Sequence, residues 1–88
     1  MGTKAKLITT GFHVHDQQPG DYALGEKGKG IMAILPCGDF FYDSEGKWEY
    51  KDREDENKIT VTPSIFCHGI NGKGEWHGFL TNGVFTQV

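Results

Sequence analysis

A chain of 88 residues makes one domain with a small core, because at this length folding buries only about 60–65% of the surface exposed by the unfolded chain. Thirteen glycines and 12% aromatics beside 36% apolar residues point to a compact, turn-rich β domain and away from disorder. The net charge of −3 gives no support to a general phosphate-binding surface, and two cysteines cannot form a multi-bridge disulfide framework.

In chain order, residues 6–15 alternate from Phe12 to His15, which predicts a strand with Phe12 and Val14 on one face and His13 and His15 on the other. Residues 17–21 read as a turn, with Pro19 presetting φ and Gly20 accepting positive φ. Residues 23–30, "ALGEKGKG", read as a mobile glycine-rich loop that leads into a strand over 31–35. That loop is not a phosphate cradle: it lacks the GxxxxGK[ST] pattern and no helix follows it. "PCG" at 36–38 turns the chain into "DFFY", and "SEG" at 44–46 turns it into "KWEYK".

Residues 58–68, "KITVTPSIFCH", form the clearest strand, with Ile59, Val61, Ile65 and Cys67 on one apolar face. Pro63 removes a ladder donor and predicts an edge strand or a bulge. Asn82-Gly83 is a type I′ hairpin signal; it sets Thr81 against Val84 and Leu80 against Phe85. If Asn71-Gly72 is a second such turn, Cys67 faces Trp76 and Phe66 faces His77, so the apolar faces of three strands coincide and Cys67 becomes a core residue. His68 and His77 then sit diagonally together on the opposite face. The architecture expected is an all-β, mainly antiparallel single domain spanning 1–88, a small sandwich or open barrel built from hairpins.

Two constellations carry chemistry. Residues 39–58 hold eight acids and four bases, with an acidic bend near 51–58. Asp52, Glu54, Asp55 and Glu56, with Trp48 and Tyr50 beside them, are the candidate surface for a basic protein partner, against the plainer reading of a solvated loop. The aromatics of this stretch sit among acids, which argues against stacking on nucleic acid. His13, His15, Cys37, His68 and His77 are the candidate zinc ligands, although nothing like CxxC…CxxC appears. Cys67 and His68, adjacent on a strand, point to opposite faces and form no catalytic dyad, so no catalytic residues are assigned.

"WEY…ITVTPSIFCHGINGKGEWHGFLTNGVF" (48–85) resembles an uncharacterised family of small phage- and prophage-encoded proteins. Thr60, Thr62, Pro63, Ser64 and Ile65 match its Thr-x-Ser/Thr-Pro-Ser-Ile strand, and His77, Gly78, Phe79, Leu80, Asn82 and Gly83 its hairpin. The resemblance implies a phage-type accessory protein in the bacterial cytoplasm and brings no established activity with it. Many relatives carry a Cys-Pro-x-Cys-Gly knuckle that suggests zinc, of which this chain keeps Pro36, Cys37 and Gly38, with Trp76 where a hairpin cysteine usually stands. The leading expectation is a non-catalytic β protein that binds a protein partner, as an inhibitor of a host or defence component, through the acidic segment or a sheet edge. An edge would also allow a homodimer. No apolar run opens the sequence as a signal peptide would, the longest apolar stretch, Ile31 to Leu35, is too short to span a bilayer, and a reduced cytoplasmic protein is the expectation. A zinc-stabilised structural module is the second reading, and a small enzyme with a histidine-lined pocket the third.

Overall fold

The computed structural model describes residues 2–25, 28–67 and 75–88. The described residues hold nine strands: β1 (Thr3–Lys4), β2 (Lys6–Leu7), β3 (Asp21–Leu24), β4 (Ile31–Ile34), β5 (Phe40–Tyr42), β6 (Glu49–Lys51), β7 (Thr60–Cys67), β8 (Trp76–Thr81) and β9 (Val84–Gln87). They form a five-stranded sheet in the order β1-β9-β8-β7-β6 and a four-stranded sheet in the order β2-β3-β4-β5. All pairings are antiparallel except β2 with β3. Among the described residues no helix is long and apolar enough to cross a membrane.

Alternation builds the space between the sheets. In β8 Trp76, Gly78 and Leu80 turn inward while His77, Phe79 and Thr81 turn out. The inward set meets Ile59, Val61, Ile65, Cys67 and Phe85 of its own sheet and Tyr22, Ile31, Ala33 and Phe41 of the other, in one cluster. Burying each of the larger aliphatic side chains stabilises the fold by about 1.5–3 kcal/mol relative to exposure. The expected register holds: Cys67 opposes Trp76, Phe66 opposes His77, Leu80 opposes Phe85 and Thr81 opposes Val84. The Asn71-Gly72 turn expected to set this register lies outside the described residues.

The first strand serves both sheets. Thr3–Lys4 pairs with β9 and Lys6–Leu7 with β3, and the pivot between them is Ala5, only 1% exposed, whose amide donates to the Gly83 carbonyl. A larger side chain at that crossing would meet the core. On the opposite side the chain passes from β5 to β6 through the buried Asp43.

Two expectations are corrected, and the alternatives left open at Pro63 resolve to the bulge. The strand expected over Phe12–His15 is absent; Val14–Asp16 is a single 3-10 turn. Phe12 does not continue a ladder: it lies over the outer face of the four-stranded sheet, its ring 6.5 Å from that of Phe40. The loop expected to start at 23 begins later, because Asp21–Leu24 is β3, with Tyr22 and Leu24 directed to the core. Pro63 sits on a bulge and not an edge, since β7 is flanked by β6 and β8. Between Val61 and Ile65 three residues of β7 face the single Phe79 that lies between their partners Leu80 and Gly78, which keeps both apolar residues facing inward. The Thr62-Pro63 bond within this bulge is cis.

Candidate functional site

The acidic bend is largely occupied with holding the fold. Glu56 accepts the Leu7 amide at 2.9 Å through Oε1, Asp55 accepts the Asn57 amide at 2.9 Å through Oδ1, and both residues are half-buried. The Trp48 indole donates to the Ser64 carbonyl (3.2 Å) and stands edge-on to Phe41, and the Tyr50 hydroxyl donates to Asp43 (2.7 Å). Arg53 donates to the carbonyls of Gly30 and Gly28, and its own carbonyl accepts the Tyr22 hydroxyl. Burial, the Glu56 and Asp55 charges, opposed by Arg53, push the Tyr22 phenol up to about 12. Of the six residues singled out as partner contacts, Asp52 and Glu54 alone are exposed. The Arg53 bonds also show how the glycine-rich turn is held: carbonyls face a cation, the reverse of an anion cradle.

The candidate metal ligands fall on different sides. His13 and His15 lie in the segment over the outer face of the four-stranded sheet, and His77 lies on the outer face of the five-stranded sheet. Cys37 packs against the core from the β4–β5 turn, Cys67 is buried, and His68 lies outside the described residues. Among the described residues no three of His, Cys, Asp or Glu come together as a metal-binding group.

What the strands do assemble is an aromatic surface on the outside of the five-stranded sheet. Phe66 and Phe79 are 48% and 46% exposed, and the His77 ring stacks on Phe66 with centroids 5.4 Å apart and planes 21° from parallel. His77 Nε2 lies 3.0 Å from Ser64 Oγ. Ser64 reaches that position from the bulge, with its carbonyl held by Trp48. Val88, opposite His77 through its amide bond to the His77 carbonyl, is 72% exposed. Thr62, Thr81 and Thr86 surround these residues, and Glu49, Lys51 and Lys4 stand on the flanking strands. Among the described residues the centre of the face therefore holds no carboxylate, lysine or arginine, in a chain that is 24% charged.

Chemically, a serine beside an imidazole is the start of a nucleophilic pair, but acyl transfer also needs a group that orients the imidazole and donors for the oxyanion. Among the described residues no hydrogen bond reaches the other His77 ring nitrogen. Exposed aromatics with charge confined to the periphery are instead the composition of a protein interface core.

The sheet edges offer less. The four edge strands are two or three residues long, and two outward-facing amides are already used: Leu7 by Glu56 and Phe40 by Asp39, at 2.9 and 2.8 Å. Short edges whose amides are capped by carboxylates resist strand addition. Sequence reasoning placed Phe66 opposite His77, but gave Phe66 and Phe79 no role; two phenylalanines on the polar side of alternating strands were the available signal.

No family model matches the chain, and neither a curated protein nor a solved structure matches it.

Proposed function

We propose that this chain is a small non-catalytic binding domain that acts on another protein through the outer face of its five-stranded sheet. The observation that carries the reading is the aromatic patch of Phe66, His77 and Phe79, two of its rings nearly half exposed. A monomeric domain gains nothing in folding from leaving these rings in water, whereas a partner would gain their burial. The resemblance to phage- and prophage-encoded proteins adds the setting: an accessory protein in the bacterial host that inhibits a host or defence component.

The test uses tagged protein to capture partners from bacterial lysate. Phe66→Ser with Phe79→Ser is expected to lose a captured protein that Asp52→Lys with Glu54→Lys retains. Retention by the first variant and loss, at low salt, by the second would move the contact to the acidic bend and overturn the assignment to the aromatic face.

A further inference from the structure

A different part of the molecule carries a second site, and it does not depend on the aromatic face. The parallel pairing of β2 with β3 ends early: Lys6 and Leu7 oppose Asp21 and Tyr22, Ile8 gives one more amide to the Tyr22 carbonyl, and the chain then leaves the sheet. Between the departing segment and β3 a cleft opens with a volume of about 240 Å³. Leu7, Ile8, Phe12, Ala23 and Leu24 line it, and Thr9, Thr10 and Gly11 complete the wall. Leu7, Ile8, Phe12 and Leu24 are each only half-buried, and Leu7 and Leu24 reach from the rim of the cleft to the core.

Two properties define what fits. None of the lining residues is charged, in a chain with 21 charged residues, so an ion entering the cleft would lose hydration and find no counter-charge. The volume exceeds the roughly 150 Å³ of an engineered apolar cavity that binds benzene, and falls below the roughly 300–1,000 Å³ of drug-sized pockets. We propose that this cleft binds a small, uncharged, mainly apolar ligand of about ten non-hydrogen atoms, with the Thr9 and Thr10 hydroxyls available for one polar group.

Indole is the probe, titrated into the full chain while the methyl resonances of Leu7, Ile8, Ala23 and Leu24 are followed by NMR. Saturable shifts on those methyls, with a Kd of about 1 mM or tighter, are expected for a ligand of this size. Indole-3-carboxylate should bind at least about tenfold more weakly, because the carboxylate has no partner in the cleft. Ala23→Leu, which fills the floor, should abolish the shifts; Thr10→Phe, at an exposed position on the wall, tests the same occlusion without altering a buried residue. The proposal is overturned by shifts that do not saturate up to about 5 mM, by equal binding of the two probes, by unchanged binding in Thr10→Phe, or by shifts centred on Phe66 and Phe79, where indole would be occupying the other face.

Discussion

Asp43 illustrates how one side chain in an acidic run differs from its neighbours. It is 3% exposed, and its carboxylate accepts the Lys47 amide (3.0 Å), the Trp48 amide (3.1 Å) and the Tyr50 hydroxyl (2.7 Å). Burial on its own would push this carboxyl up, but the bonds from Lys47, Tyr50, Trp48 and the Glu45 amide outweigh it and hold the carboxyl below its ordinary value. The Tyr50 phenol is pushed up in turn, first by burial and then by its bond to the Asp43 carboxylate. A carboxylate depressed in the folded state contributes stability that is present above the unfolded value, near 3.9, and lost as pH falls through the lower folded value. Asp43→Asn is therefore expected to cost about 2–3 kcal/mol at pH 7, since one amide oxygen cannot replace a charged acceptor of several bonds. Urea unfolding between pH 6 and 2.5 should give the wild type the steeper loss below about pH 4; parallel curves would mean that Asp43 does not carry the dependence. Trp76 differs: its indole nitrogen is buried without a partner among the described residues, a desolvation cost offset by packing its ring beside Phe85 and under Gly78. A β-carbon at Gly78 would stand 2.6 Å from that ring, so glycine is what lets the indole lie across β8.

At the level of elements, the β8–β9 hairpin is the part of the fold on which other segments close. Asn82 and Gly83 have φ of 47° and 77°, the two positive values of a type I′ turn. Gly83 donates its amide to the Ile59 carbonyl and its carbonyl accepts the Ala5 amide, so the turn ties β7 and the N-terminal strand together. A β-carbon there would stand 2.1 Å from the Glu56 carbonyl oxygen. Gly83→Ala is thus expected to cost about 2 kcal/mol or more, a Tm fall of about 10 °C or more, with Asn82→Gly close to neutral. Equal melting of the two variants in calorimetry would show the turn to be dispensable. This hairpin and the Cys67–Trp76 register were legible because alternation and a two-residue turn are local signals. β3 was not, because a four-residue strand between a Pro-Gly turn and a glycine run has too short a period to detect. The strand read over Phe12–His15 failed for a related reason: four residues of alternation also fit a loop that drops one aromatic ring onto a sheet. Among candidate contacts, Trp48 and Tyr50 looked available because their partners, Ser64 and Asp43, are distant or hidden in a charged run. Phe66 and Phe79 were visible in the alternation, but how much of each ring stays exposed is set by packing across strands, which no local pattern carries.

The whole molecule separates its two outer surfaces by a closed core, and this bears on zinc. One ion draws its ligands to about 2.0–2.3 Å, while two packed sheets stand about 10 Å apart. His77 projects from the outside of one sheet and His13 and His15 lie over the outside of the other, with Tyr22, Val61, Leu80 and Phe85 between. A site uniting all three histidines would have to pass through that core. Cys37 packs against the core from the β4–β5 turn. The shared first strand, the Asp43 crossing and the apolar cluster join the sheets through hydrogen bonds and packing, with Cys67 in the cluster and Cys37 against it as packed side chains. Protein prepared without a histidine tag and dialysed against EDTA is therefore expected to keep its Tm within about 2 °C, and elemental analysis to find well under one zinc per chain. One zinc per chain, with a Tm that falls by about 10 °C in chelator and returns on adding zinc, would establish the zinc-stabilised module in place of a fold held by its core alone.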